Sequence, residues 1–185
     1  MAIGRFGISA LLLLFAAAPP ALGCGGASAE SPRPTQETSG LVGQRAPNFS
    51  VAAVAGSKGK VSIAGLRGKV VLVDFWATFC EPCKKSFPKL QELQSKYDAD
   101  GLKIVGISED EAEDKDRIPD FARAYGAKFT LAWDGDKAIA QSYKPETMPS
   151  SFLIDKTGVV RFAHVGFHDG DAALLDKEIQ GLLQR

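Results

Sequence analysis

The segment that most constrains the fold is a continuous apolar run followed closely by two cysteines. Val70–Trp76 is rich in β-branched and aromatic residues and contains a single acid, Asp74. Runs of this kind are typical of strands that are buried on both faces of a sheet. Cys80 and Cys83 follow after a short turn, and residues 84–97 then have apolar side chains at the spacing of an amphipathic helix. The sequence therefore predicts a buried strand that leads into a helix with two thiols at its start.

The remaining apolar patterns extend this unit into an α/β domain. We expect further strands at 102–107, 151–154 and 159–164, further helices at 118–125 and 172–183, and a hairpin from 48–54 and 61–63 at the front. The order of these segments predicts a central mixed sheet flanked by helices, with an N-terminal β-hairpin extension.

The chain divides into three parts. Residues 1–23 have the positive start, apolar centre and small-residue end of an export signal. Residues 24–40 contain no large apolar side chain, so we expect a flexible tether, and residues 41–185 are predicted to form one folded domain. The junction before Cys24 resembles the lipobox of bacterial lipoproteins, which implies a lipidated Cys24 and attachment to a membrane surface. A soluble exported protein cleaved after Gly23 is the alternative.

Charge balance and cysteine count exclude several classes of protein. The chain has 22 Lys and Arg against 22 Asp and Glu, so its net charge is zero and no basic stripe is available to bind nucleic acid. Three cysteines are too few for a Cys₄ zinc site or a disulfide-rich scaffold. The six acids at 109–116 lack the spacing of a calcium loop, so we expect a solvated loop there.

The sequence Cys80-Glu81-Pro82-Cys83 is the feature most informative about chemistry. A helix N-terminus presents unpaired N–H groups and a partial positive charge, which stabilise a thiolate. Pro82 suits this position because the first helical residues have no intrahelical acceptor to lose. Two sulfurs three positions apart can close a disulfide, with Cys80 as the attacking thiolate and Cys83 as the resolving thiol.

Two other interpretations of this motif remain open from the residues alone. In the first, the cysteines supply half of a zinc site that is completed by His164 and His168. In the second, the pair forms a purely structural disulfide, although so short a loop removes little entropy from the unfolded chain.

Residues 70–88, VVLVDFWATFCEPCKKSFP, resemble the active-site segment of the thioredoxin superfamily, closest to its membrane-tethered TlpA/ResA-like branch with an AhpC/TSA-type domain. The segments 148–155 and 46–49 resemble the cis-proline loop and the front hairpin of that branch. The resemblance implies a thioredoxin fold and a thiol:disulfide oxidoreductase that uses neither a cofactor nor a metal. It assigns the nucleophile to Cys80 and the resolving thiol to Cys83.

The same resemblance implies roles for three further residues. Pro149 matches the cis-proline that packs against the active site. Met148 matches the preceding residue, whose backbone binds an extended substrate. Trp76 matches the aromatic residue beneath the active site, although an aromatic residue at a strand end is as often an ordinary core residue.

Asp74 is the candidate for proton transfer. Burial of a carboxyl group in an apolar strand raises its pKa, which suits a proton acceptor near neutral pH. The residue matches the buried Asp of thioredoxin, which takes the proton of the resolving cysteine. An Asp at the strand end that faces water or bonds a nearby turn is the alternative. Many TlpA/ResA-like proteins have a Glu three residues after the second cysteine, where this chain has Ser86.

The direction of the reaction and its partners follow from charge and from the resemblance. Glu81 places a negative charge beside Cys80, which disfavours the thiolate and favours a reductant over an oxidant. The resemblance implies protein dithiol or disulfide substrates on the periplasmic side of a bacterial membrane, and a membrane electron donor of the DsbD/CcdA kind.

Two other functions are compatible with a related fold. Peroxiredoxins resemble a P-x-x-x-T-x-x-C pattern, but this chain has Val73 and Ala77 at the Pro and Thr positions. A copper-delivery module would use Cys80, Cys83 and a distal histidine, although its cysteines are normally separated by three residues rather than two.

Overall fold

The computed structural model describes residues 40–185, together with Met1 and Ile3. The predicted export signal, the predicted lipidation site Cys24 and nearly all of the predicted tether lie outside the described residues. In the part of the chain that is described, no helix has the length and apolarity needed to cross a membrane.

Within residues 40–185, seven strands form one mixed sheet in the order β2-β1-β5-β4-β3-β6-β7. Strand β3 lies in the interior of the sheet; it pairs in parallel with β4 and antiparallel with β6, and β4 pairs in parallel with β5. The front hairpin β1–β2 joins the sheet by antiparallel pairing of β1 with β5. The strands are β1 Ser50–Ala55, β2 Lys60–Ser62, β3 Val70–Trp76, β4 Leu102–Ser108, β5 Thr130–Trp133, β6 Ser150–Ile154 and β7 Val160–Val165.

Helices cover both faces of this sheet and bury alternate residues of β3. The helices are α1 Glu81–Tyr97, α2 Ile118–Ala124, α3 Ala138–Tyr143 and α4 Asp171–Leu183. Val70 and Leu72 pack with residues of α1, α2 and α4, on what we call the α1 face. Val71, Val73 and Phe75 pack with α3 on the opposite α3 face. By this alternation Asp74 lies on the α1 face, together with both cysteines.

The predicted fold class, a mixed sheet flanked by helices with a front hairpin, is confirmed. The predicted order of elements was incomplete, because strand β5 and helix α3 were missed. Strand β5 has four residues and α3 has six, so neither is long enough to establish a clear hydrophobic period. Helix α1 begins at Glu81, with Pro82 in its first turn, as the position of the motif predicted.

Candidate active site

The turn from β3 to α1 brings the two cysteines to the edge of the sheet. Strand β3 ends at Trp76, and Cys80 is the N-cap of α1 with φ −77° and ψ 107°. This extended backbone lets the Cys80 side chain turn back over the first helical turn, where Cys83 N–H donates to Cys80 Sγ at 3.2 Å. The Cys80 sulfur therefore lies at the positive end of the helix dipole.

Cys80 and Cys83 form a disulfide with a Cα–Cα separation of 5.3 Å. Cys80 retains 6% of its surface, whereas Cys83 has none. Phe79, the residue before Cys80, is 60% exposed, so an apolar side chain stands in solvent next in sequence to the less buried cysteine. A partner thiol can therefore approach Cys80 while Cys83 stays covered, which is the asymmetry that an attacking and a resolving cysteine require.

Asp74 is fully buried, and the alternation along β3 places it on the same face of the sheet as the two cysteines. Its Oδ1 accepts a hydrogen bond from Ser151 Oγ at 2.6 Å. Its Oδ2 has no hydrogen-bond partner among the described residues. Burial raises the pKa of Asp74 to about 7, and the Ser151 hydrogen bond opposes that rise. The alternative in which Asp74 faces water is wrong, because side chains cover it completely.

Met148 and Pro149 reach the same end of the sheet from β6. The Met148–Pro149 peptide bond is cis. Strand β6 begins at Ser150, which pairs with Phe75 near the end of β3, so the residues before Ser150 extend beyond that strand toward the cysteine turn. Pro149 is buried, and Met148 packs against the hydrophobic cluster that contains both cysteines.

Trp76 forms the floor of the site. Its side chain is fully buried, with ring centroids 4.5 Å from Phe87 and 4.7 Å from Phe121. Gly106 on β4 makes room for the indole, because a Cβ there would lie 3.0 Å from Trp76 Nε1 and 2.6 Å from Leu131 Cδ2. The position therefore requires glycine for close packing rather than for an unusual backbone angle.

Asp110 is a residue that the sequence analysis missed. It was included in a loop predicted to be solvated, but Asp110 is fully buried and this part of the prediction is wrong. Its carboxylate accepts from Thr78 N at 3.0 and 3.1 Å, from Thr78 Oγ1 at 2.7 Å and from Ser108 Oγ at 2.7 Å. Thr78 lies two residues before Cys80, so Asp110 anchors the active-site turn to the end of β4. A buried acid within an acidic run gives no sequence signal that separates it from its exposed neighbours.

Two polar residues in or near the CxxC motif have partners within helix α1. Glu81 forms an ion pair with Lys84 one helical turn later, and its side chain is 77% exposed. Ser86 is buried and donates from Oγ to the Cys83 carbonyl of the preceding turn at 3.1 Å. Its side chain offers no carboxylate to the disulfide.

Each of the two histidines contacts a carboxyl group of helix α4. His164 Nε2 lies 2.7 Å from Glu178 Oε2, and His168 Nδ1 lies 3.2 Å from Asp171 Oδ2. Among the described residues, no group of three or more His, Cys, Asp or Glu side chains is arranged to hold a metal ion. Neither histidine is therefore grouped with the cysteines as a zinc or copper site would require.

The sheet topology and the CxxC disulfide at the start of α1 define the class of this protein, a thioredoxin-fold thiol–disulfide oxidoreductase. The family model of the AhpC/TSA family matches residues 42–163, and the chain belongs to that family.

Individual relatives agree with this assignment. Over 119 residues the chain is 39% identical to thiol-disulfide oxidoreductase ResA of Bacillus thuringiensis (strain Al Hakam), a match that spans 64% of this chain and 66% of that protein. It is 36% identical over 125 residues to thioredoxin-like protein YneN of Bacillus subtilis (strain 168), spanning 67% of this chain and 71% of the relative. The predicted ResA-like resemblance is thus confirmed.

A solved structure extends the likeness to three dimensions. The crystal structure of a putative thiol:disulfide interchange protein DsbE from Chlorobium tepidum superposes with a TM-score of 0.71 at 37% identity. The superposition covers 77% of this chain and 97% of that chain, so nearly the whole of that structure has a counterpart here.

Proposed function

We propose that this protein reduces disulfides in other proteins on the periplasmic side of a bacterial membrane. The observation that carries the proposal is the Cys80–Cys83 disulfide at the start of α1, with Cys80 partly accessible and Cys83 covered. The names of the relatives, thiol-disulfide oxidoreductase and thiol:disulfide interchange protein, support the same chemistry.

The reaction is a pair of thiol–disulfide exchanges. In the reduced protein, the Cys80 thiolate attacks a substrate disulfide, one substrate thiolate leaves, and a mixed disulfide forms. The Cys83 thiolate then attacks Cys80 Sγ, the second substrate thiolate leaves, and the Cys80–Cys83 disulfide closes. Two electrons pass from the dithiol to the substrate, which takes up two protons. The Cys83 N–H that donates to Cys80 Sγ in the disulfide supports the Cys80 thiolate.

Asp74 is proposed to accept the proton of Cys83 before the second exchange. A thiol is a poor nucleophile until it is deprotonated, and Cys83 has no exposed surface from which water could take the proton. Asp74 lies on the same face, and burial raises its pKa to about 7, which suits a base near neutral pH. Oδ2, which has no hydrogen-bond partner among the described residues, is the atom available for that proton.

The substrate is proposed to bind as an extended segment beside Cys80. The Met148 backbone would hydrogen-bond this segment, Pro149 would shape the loop, and the exposed Phe79 ring would contact apolar substrate side chains. Trp76 would serve as the packed floor that holds the cysteine turn in place.

Reduction rather than oxidation is the proposed direction. A carboxylate at Glu81 beside Cys80 disfavours the thiolate of the reduced form, and destabilising the reduced form makes the dithiol a stronger reductant. The ion pair with Lys84 offsets part of this effect, and the high exposure of Glu81 screens it further. Electrons would come from a membrane donor of the DsbD/CcdA kind, since an oxidising compartment cannot keep the dithiol reduced.

Attachment to the membrane through a lipidated Cys24 is also proposed, after removal of residues 1–23 as an export signal. Residues 24–40 would then act as the tether of the folded domain 41–185. Detergent partitioning of the full chain tests the anchor. Wild type should enter the detergent phase and Cys24→Ala the aqueous phase. If both proteins partition equally into the aqueous phase, lipidation of Cys24 is contradicted.

Trapping of the mixed disulfide tests the assignment of the two cysteines. Cys83→Ala should accumulate protein substrates covalently bound to Cys80, because the resolving thiol is missing. The matched variant Cys80→Ser should trap none through Cys83, whose sulfur is covered. Equal trapping by both variants would contradict the assigned order of attack.

Separate rates for the two exchanges test Asp74. We expect Asp74→Asn to slow release of the mixed disulfide by about 100-fold at pH 7, the range of general base catalysis. The first attack should change less than about threefold, because the Cys80 thiolate relies on the helix N-terminus. Stopped-flow mixing with a model peptide disulfide measures both steps, and equal slowing of both would count against Asp74 as the base.

A further inference from the structure

Residues 108–110 at the end of β4, which we call the anchor loop, are hydrogen-bonded to the active-site turn. The Asp110 carboxylate accepts from Thr78 N at 3.0 and 3.1 Å and from Thr78 Oγ1 at 2.7 Å. Glu109 N–H also donates to the carbonyl of the last residue of β3 at 2.8 Å. Because Thr78 lies two residues before Cys80, a change in the position of the anchor loop also moves the turn that contains Cys80.

Two side chains from a distant part of the sequence donate to the backbone carbonyls of the anchor loop. Trp133, the last residue of β5, donates from Nε1 to the Asp110 carbonyl at 2.7 Å. Lys137, just before α3, donates from Nζ to the Glu109 carbonyl and lies 3.5 Å from the Asp110 carbonyl oxygen. We call Trp133 and Lys137 the clamp. A continuous series of hydrogen bonds therefore runs from the clamp through the anchor loop to the active-site turn.

The indole of Trp133 is held in place by its neighbours. A Cβ at Gly135 would lie 2.5 Å from Trp133 Cη2, so the ring lies directly against the Gly135 backbone. Lys115 Nζ lies 4.6 Å from the ring centroid, which is a cation–π contact. Rotation of the ring would disrupt this packing, so the packing directs Nε1 toward the Asp110 carbonyl.

Lys137 has a left-handed backbone conformation, with φ 58° and ψ 16°. Residues other than glycine are rare in this region, and they persist where the surrounding contacts require them. The Lys137 side chain is 32% exposed and also forms an ion pair with Glu111 at 3.2 Å. Glycine would suit this backbone better, so what lysine contributes here is the contact of its ammonium group with the anchor loop.

We propose that Trp133 and Lys137 are positioning residues for thiol–disulfide exchange, because they hold the anchor loop and thereby the turn that presents Cys80 to a partner disulfide. Attack on a disulfide is fast only when the incoming sulfur is held in the reactive orientation, so a looser turn lowers the rate of the first exchange. The inference rests on the proposed function, because this consequence requires Cys80 to make the first attack.

The sheet itself does not depend on the clamp side chains. Strands β4 and β5 pair through their backbones as far as Ser108 and Trp133. Asp134 N–H then donates to the Ser108 carbonyl at 3.0 Å. These backbone bonds remain when the clamp side chains are changed, so we expect such variants to loosen Glu109 and Asp110 while the strand pairing stays intact.

Four variants test the clamp. Lys137→Gly removes the ammonium group at a position whose backbone favours glycine, and Trp133→Phe removes the Nε1 donor but retains an aromatic ring. We call these two the clamp variants. Lys137→Arg keeps a cationic donor and is the conservative rescue. Lys144→Gly is the matched control, because Lys144 is also left-handed, with φ 52°, at the other end of α3 and is exposed.

Amide hydrogen exchange in the oxidised full chain measures directly how firmly the turn is held. We expect the Thr78 amide to exchange about tenfold faster, relative to amides of β3, in both clamp variants than in wild type. The β3 amides report global unfolding, so a loss of overall stability does not change this ratio. An unchanged ratio in both clamp variants, or the same change in Lys144→Gly, would overturn the inference.

Stopped-flow mixing of the reduced protein with a model peptide disulfide measures the consequence for the reaction. The rate constant of the first exchange should fall about tenfold in the clamp variants and recover to within about threefold of wild type in Lys137→Arg. Lys144→Gly should react like wild type. Rate constants within about twofold of wild type in both clamp variants, or no recovery in Lys137→Arg, would overturn the inference.

Trapping with Cys83→Ala and Cys80→Ser decides the proposed function separately. If trapping assigns the first attack to Cys80 and the clamp variants react like wild type, the proposed function stands and the inference fails. If Cys80 does not make the first attack, the proposed function fails, and exchange of the Thr78 amide still decides whether the clamp holds the turn.

Discussion

Two buried aspartates near the active site, Asp74 and Asp110, differ in how well they are hydrogen-bonded. Asp74 accepts one hydrogen bond, from Ser151, and its second oxygen has no partner among the described residues. Both oxygens of Asp110 accept hydrogen bonds, from Thr78 and from Ser108. Burial alone therefore does not decide what a carboxylate does. The well-bonded one holds the active-site turn, and the poorly bonded one is available for a proton.

The largest expected effect concerns Asp110. Asp110→Ala leaves the Thr78 N–H and two hydroxyl groups without their acceptor, and we expect unfolding free energy to fall by about 3 kcal/mol. Asp114→Ala is the matched control from the same acidic run, because its partner is the exposed Arg117 and surface ion pairs contribute about 0–1 kcal/mol. Urea denaturation of the oxidised proteins measures both. Similar losses in the two variants would show that Asp110 is not the anchor.

The next effect is the pH dependence of stability that Asp74 causes. Its folded-state pKa of about 7 exceeds the ordinary aspartate value of 3.8, so the folded protein keeps the proton over a range where the unfolded chain has lost it. The contribution of Asp74 is therefore fully present below about pH 4 and is lost as the pH rises toward 7.

Comparison with Asp74→Asn isolates this contribution. The stability of wild type relative to Asp74→Asn should fall by about 3 kcal/mol between pH 4 and pH 6.5, since each pKa unit corresponds to about 1.4 kcal/mol. Denaturant melts of the oxidised proteins across this range provide the measurement. A constant difference would mean that Asp74 ionises alike in the folded and unfolded states.

The smallest effect concerns Glu81, whose charge is exposed rather than buried. Glu81→Gln should raise the reduction potential of the cysteine pair by only about 10 mV, because exposed ion pairs are weak and a tenfold change in equilibrium is about 30 mV. Equilibration with glutathione measures the potential. A rise above about 30 mV would show that Glu81 influences Cys80 as strongly as a buried group.

The sequence predicted the structure well where the informative pattern lies within one strand and the helix that follows it. The apolar run with Asp74, followed by the CxxC motif at a helix start, predicted β3, α1 and the location of the disulfide. The single acid in that run also predicted a raised pKa for Asp74, because the apolar residues on either side indicated that its carboxyl group is buried.

Features that depend on packing between distant segments could not be predicted. Thr78 and Asp110 meet only because β3 and β4 end side by side, and their acidic neighbourhood suggested solvent instead. The contact of His164 with Glu178 depends on how α4 packs against β7. Strand β5 and helix α3 are stabilised by their place in the sheet and its α3 face rather than by their own periodicity.

Direct titration of Asp74 tests the central claim, that a buried and poorly hydrogen-bonded carboxyl group on the same face of the sheet as the disulfide exchanges a proton near neutral pH. The measurement is the ¹³C carboxyl shift of Asp74 in oxidised wild-type protein between pH 3 and pH 9. The account predicts a single transition with its midpoint at about 7. A midpoint near 4, the value of an exposed aspartate, would leave Asp74 ionised throughout the physiological range and would contradict the account.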